Sequence, residues 1–448
     1  MKRLLRRLLI AGIFIPGMAI GQNTSQAAVT HSRAYLPTPV ATPKATAKRP
    51  PDYNALVAKI QKETEKLRGI TLGSTIKPRV LNKPQMADLL RKLLGDELKE
   101  PGAQESMIAM KLLGLIPADE DVPKLMQSLL EGQVGGLYNP ADKELYVSGA
   151  FDPSGFIGGV ILSHEITHAL QDHEYHLGEY LLDEKDLDRQ KAKQCIVEGD
   201  ATVTMIDWGS DNFTAAALFS IGEAFDAQAQ DLEKVPPALL QDMIFSYMGG
   251  AQFLNAVRAK HPNDWGAMVF KDPPLSTEQI LHPEKYLATK RDNPANVTLK
   301  EVADPAYKEI FRNTVGEWMI RLVVTPLDKY PVLGMFTLDP ILKYQPSVDA
   351  AAGWSGDQFV LLESASNAAE HAISWKTSWE SEADAQQFAT AFTTRTALFP
   401  ELAGATVDAN GFSAKNFFVR IAQHGSEVNV GIAQTEAGLK AAAALFPQ

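Results

Sequence analysis

Residues 161–177 read ILSHEITHALQDHEYHL and hold four of the chain's nine histidines, His164, His168, His173 and His176. On an α-helix, side chains four residues apart stand one above the other, about 5–6 Å apart at Cβ. His164 and His168 therefore point the same way, close enough to share one ion. Leu162, Ile166, Ala169 and Leu170 supply the core-facing stripe. Glu165 follows the first histidine, where its carboxylate reaches a water beside such an ion without ligating the ion itself.

H-E-x-x-H on a helix is the spacing of zinc sites that hydrolyse peptide bonds. Catalytic zinc takes three protein ligands and keeps one position open. One known completion needs glycine at 171 and histidine at 174, but the chain has Gln171 and Glu174. His173 lies about 140° round the helix from His168, and His176 about 12 Å along it. Both read as surface, packing or cap residues. Glu198, in CIVEGDATVTM on the next long helix, completes a two-histidine, one-glutamate set. Asp172 and Asp200 are candidates to accept the free ring N–H of a ligating histidine, which would fix its tautomer. The competing reading of each is a solvated acid.

Around this stretch the periodicity divides the chain. Residues 53–131 carry four apolar-periodic segments broken by proline or glycine, a helical lobe. QVGGLYNPADKELYVSG predicts a hairpin over 132–150, with strands near 133–138 and 144–148. The zinc-site helices span 154–209, and further helices cover roughly 213–231 and 236–260. These parts make one domain over 53–345. From 346 to 448 the β-β-α-β-β-α order predicts a separate two-layer α+β domain, with Trp354 and Gly356 of GWSGDQF in its packing. The fold class is α+β, with a mainly helical first domain.

Residues 1–27 have a basic start, an apolar stretch from Leu8 to Ile20 and small residues beyond, the layout of a secretory signal peptide. That stretch is shorter than the ~20 residues a membrane span needs. Residues 28–52, rich in Pro, Ala and Thr, read as an extended linker. Removing residues 1–27, with four basic residues and no acidic one, takes the net charge from −11 to −15. So acidic a chain argues against a nucleic-acid surface. Cys195 is the one cysteine, so no internal disulfide exists, and it reads as a small buried hydrophobe. The expectation is an exported, periplasmic or secreted bacterial protein with no stable membrane insertion after signal cleavage.

HEITHALQDHEYHL followed by VEGDA resembles a group of exported bacterial zinc metallopeptidases of the gluzincin type. Their pattern is H-E-[LIV]-x-H-A-L-Q-D-Q-x-x-x-L, then E-G-[DE]-A. LLGLIP, QVGGLYNPADKELYV, PPLSTEQILHPEKY and AAAGWSGDQF extend the resemblance over roughly 80–440. His173 departs from it, standing where glutamine is usual. The resemblance implies a zincin-like domain with one Zn²⁺ on His164, His168 and Glu198, Glu165 as catalytic base and a peptide or protein substrate. It also implies that the hairpin is the edge strand along which an extended peptide lies. STEQILHPEKY offers His282 and Tyr286 either as donors to the oxyanion of the reaction or as parts of a structural turn. The rival reading is a non-catalytic peptide-binding or scaffold protein with a structural zinc.

Overall fold

The computed structural model describes residues 52–99, 102–149, 154–182, 184–214, 217, 234–327, 342–408 and 410–447. The expected signal peptide, nearly all of the linker and most of the helix expected at 213–231 lie outside the described residues.

The N-terminal lobe is helical, as its periodicity predicts: α1 (Tyr53–Arg68), α2 (Lys83–Leu98), α3 (Ala103–Leu112) and α4 (Val122–Gln133). Asp52 and Asp121 cap α1 and α4, accepting from the backbone N–H groups of Ala55 and Lys124. The hairpin pairs β2 (Gly136–Asn139) with β3 (Glu144–Ser148), starting later than expected because α4 runs to Gln133. A third strand, β1 (Arg79–Leu81), joins β3 in parallel and leaves β2 at the edge.

Two long helices follow: α5 (Phe156–Tyr175), which carries the histidines, and α7 (Leu187–Asp211), separated by the short α6 (Leu177–Leu182). Helix α5 is buried all round from Gly158 to Asp172. It stops at His176, an exposed C-cap in left-handed conformation at φ 52°. Helix α8 (Pro237–Lys260) lies against α7 at a crossing of two glycines. A Cβ at Gly250 would stand 2.0 Å from the carbonyl oxygen of Cys195, and one at Gly199 would stand 2.4 Å from the carbonyl carbon of Gly250. Only hydrogen at both positions lets the backbones approach this closely. Cys195 is buried at this crossing.

After α9 (Trp265–Lys271), α10 (Thr277–Leu281) and α11 (Pro283–Leu287), the chain enters a seven-stranded antiparallel sheet. Its strands are β4 (Tyr307–Asn313), β5 (Trp354–Ser364), β6 (His371–Trp379), β7 (Thr406–Asp408), β8 (Gly411–Ser413), β9 (Phe418–His424) and β10 (Glu427–Ala433), in the order β4-β5-β6-β10-β9-β8-β7. Helices α12 (Gly316–Val324) and α13 (Gln345–Ala351) lie between β4 and β5. Helices α14 (Glu382–Thr396) and α15 (Glu436–Ala443) follow β6 and β10.

Two expectations are corrected here. The sheet begins at β4, ahead of the boundary set at 346. An irregularity between Glu309 and Phe311 breaks the alternation that would have marked β4 as a strand. The C-terminal unit also has more than two layers, because both sheet faces are covered. Phe359, Leu361, Ile373 and Trp375 face the large core that includes Phe388 and Phe392 of α14. Val360, Leu362 and Ala372 face Leu439 and Ala442 of α15. The continuous apolar run FVLL at 359–362 is the sequence of a strand buried on both sides.

Asp357 ties this sheet to the helices. It accepts from the backbone N–H groups of Val315 and Gly316 at the start of α12, and from the indole N–H groups of Trp354 and Trp375, at 2.8–3.2 Å. No described helix is long and apolar enough to cross a membrane.

Candidate metal centre

Helices α5 and α7 pack side by side, bringing His164, His168 and Glu198 together from residues thirty apart in sequence. The two Nε2 atoms are 3.1 Å apart. Glu198 Oε2 lies 3.3 Å from that of His164 and 3.6 Å from that of His168. Each of the three side chains is at most 5 % exposed.

Burial pulls the His164 pKa below its usual range. Burial also disfavours a charged His168, but the adjoining Glu198 carboxylate outweighs it and lifts this histidine to about 9. Burial would raise Glu198, yet the two imidazoles hold it below the ordinary carboxylate range. Glu198 Oε2 has no hydrogen bond of proper geometry among the described residues.

Glu165 is fully buried beside this trio. Its Oε2 accepts the backbone N–H of Tyr138 at 2.7 Å, while its Oε1 has no partner among the described residues. Burial pushes this carboxyl up to about 8. Tyr138 belongs to the edge strand β2. The carbonyls of Gly135 and Asn139 accept from Ser148 and Lys143, so the odd positions turn inward and Gly136 and Tyr138 turn outward, toward α5.

The two second-sphere candidates find different partners. Asp172 accepts the phenol of Tyr138 at 2.9 Å. Asp200 reaches His168 through an intermediary that the sequence did not single out. The ring Nδ1 of His168 bonds Gln171 Oε1 at 2.9 Å, and Gln171 Nε2 donates to Asp200 Oδ2 at 2.8 Å. Gln171 sits one turn past His168, and that spacing is the signal that could have found it.

His282 and Tyr286 are engaged elsewhere. His282 bonds Glu317, itself paired with Arg321, and the Tyr286 hydroxyl donates to the carbonyl of Asp272. The structure does not bring either into the trio. His173 and His176 are exposed on the outer end of α5. A residue that the sequence did not single out, Tyr247 of α8, stacks its ring on His164 at 5.8 Å. Burial, with the charges of Glu198 and Glu165, pushes its phenol well above the usual range.

A second convergence of acids, Glu278, Asp292 and Glu380, already holds a cation: Lys285 Nζ stands 2.7, 3.0 and 2.6 Å from them. Glu380 follows β6, so this cluster joins STEQILHPEKY to the C-terminal sheet.

Residues 304–443 match the model of a family described as a domain of unknown function (DUF8575). The match covers the C-terminal sheet and does not reach His164, Glu165, His168 or Glu198. No curated protein and no solved structure matches the chain.

Proposed function

We propose that this chain is a zinc-dependent metallopeptidase of the gluzincin type, acting outside the cytoplasm, with His164, His168 and Glu198 as metal ligands and Glu165 as general base. One observation carries the reading. A tetrahedral zinc with bonds of about 2.0–2.2 Å holds its ligand atoms roughly 3.3–3.6 Å apart. The three atoms here form a triangle of 3.1, 3.3 and 3.6 Å, and the carboxylate corner lacks any other partner. The absence of a fourth described ligand matches a catalytic site rather than a closed structural one.

Bound zinc would polarise the scissile carbonyl and acidify the attacking water. The rest falls to the chain's own side chains. Tyr138 holds one oxygen of Glu165, which leaves Oε1 to take a proton from the water and return it to the departing amine. A base whose carboxyl sits near 8 before the ion arrives, and lower beside a cation, is suited to accept and release that proton near neutrality. An extended peptide substrate would lie beside the edge strand β2, with the Tyr138 N–H left on Glu165. Tyr247, beside His164, takes over from His282 and Tyr286 as the proposed donor to the charge developing on the carbonyl oxygen.

The test is zinc per chain together with hydrolysis of a peptide library, on the wild type, Glu198→Ala and Glu165→Gln. We expect one zinc in the wild type, loss in Glu198→Ala, and retained zinc with about 10²–10⁴-fold slower cleavage in Glu165→Gln. Full activity in Glu165→Gln, or equal zinc in Glu198→Ala, would overturn the assignment.

A further inference from the structure

The chain of bonds behind His168 does not end at Asp200. Asp200 Oδ2 also accepts from the guanidinium of Arg68 at 3.0 Å, in an ion pair with side chains 6 % and 0 % exposed. Arg68 is the last residue of α1, in the N-terminal lobe, 132 residues away from its partner. Its guanidinium lies over the ring of Trp265 at 4.7 Å, and a Cβ on Gly266 would come within 2.9 Å of it. The charge is thus held in place on two sides.

We infer that Arg68 is a positioning residue for the metal ligand His168, acting through Asp200 and Gln171, so that the N-terminal lobe sets the metal affinity of a site built on α5 and α7. The inference rests on the metal reading above.

Each bond in the chain from Arg68 to His168 has a fixed direction. Gln171 Nε2 faces two groups that can only accept, the carbonyl of Val197 at 2.9 Å and the Asp200 carboxylate. The amide therefore cannot be flipped, and its oxygen must face His168 Nδ1. Only an N–H can bond that oxygen. Nδ1 accordingly carries a hydrogen in the neutral and the charged ring alike, and Nε2 is the atom left to give its lone pair to the ion. Arg68 pins Asp200 through a buried ion pair at 3.0 Å, and the pinned carboxylate fixes the amide of Gln171. Outer-sphere groups of this kind commonly change metal affinity by about 10–100-fold.

The experiment measures the zinc dissociation constant of the full chain by competition with a chromophoric chelator, alongside the melting temperature of the zinc-free protein. Removing Arg68 alone would strand a buried carboxylate, so Arg68→Met is combined with Asp200→Ala. We expect the pair to bind zinc roughly tenfold more weakly, and Gln171→Leu roughly 10–100-fold more weakly. The triple variant should bind no more weakly than Gln171→Leu alone, since the influence passes through that amide. Wild-type affinity in the folded Arg68→Met/Asp200→Ala protein would overturn the inference, as would losses that multiply in the triple variant. A wild-type protein that takes up no zinc would instead remove the metal reading on which it stands.

Discussion

Two regions of this molecule bury carboxylates in opposite ways. In the C-terminal unit both oxygens of Asp357 are occupied, Oδ1 by the backbone N–H of Val315 and the indole of Trp375, Oδ2 by Gly316 and Trp354. Between α5 and α7, Glu165 and Glu198 are as deeply buried, yet each keeps an oxygen with no partner among the described residues. Buried polar atoms are nearly always hydrogen-bonded, because an unmet one costs about 1–3 kcal/mol. A carboxylate with every lone pair engaged is a joint. One left incomplete where imidazoles converge is a place for an ion or a reacting molecule.

The largest expected effect tests the first half of this contrast. Asp357→Ala would orphan four buried N–H donors and detach the start of α12 from β5, at a cost of about 6 kcal/mol. Urea unfolding should show it, with zinc content unchanged in whatever fraction stays folded. A loss below about 1 kcal/mol would mean that Asp357 is not the joint.

The second effect has the opposite sign and belongs to the metal-stripped protein. Glu165 is raised from 4.5 to about 8 by burial, so the folded protein keeps a proton that the unfolded chain has released across that window. Stability of the stripped wild type therefore falls as pH rises from 4.5 to 8. Glu165→Gln has nothing to titrate there. In chelator, the variant should match the wild type below pH 4.5 and exceed it by on the order of 5 kcal/mol at pH 8 and above. If the variant is less stable than the wild type at pH 8, burial is not what dominates at this carboxyl.

The contrast also explains what the sequence could show. H-E-x-x-H is legible because the helix itself enforces the spacing: His164 and His168 must share a face whatever surrounds them. Glu198 could be reached by elimination, since zinc needs a third ligand and the next long helix offered one. Arg68 could not. Its tie to Asp200 spans 132 residues and leaves no local period. Gln171 was in view but weighed only as a failed glycine. Strand β4 was hidden by its irregularity, and β1, three residues long, is too short to show alternation. His282 and Tyr286 carry suitable chemistry, but the side chains around them turn it toward Glu317 and Asp272. The nearby Lys285, gripped by three acids, marks the segment as a seam with the sheet.

The smallest effect tests the boundary between the two kinds of burial. Tyr138 holds α5 at two points two turns apart, Glu165 through its backbone N–H and Asp172 through its phenol. Tyr138→Phe keeps the first bond and removes the second. It leaves Asp172 Oδ2 without this donor at a buried position, which should cost about 1–2 kcal/mol of stability. If Asp172 serves only to seat β2 on α5, zinc affinity should stay within about twofold of the wild type, and any change in hydrolysis should fall on KM, through the strand on which the peptide lies. A marked loss of zinc affinity would instead make Asp172 part of the machinery holding the ion, and the line between joint and reactive centre would have to be drawn beyond it.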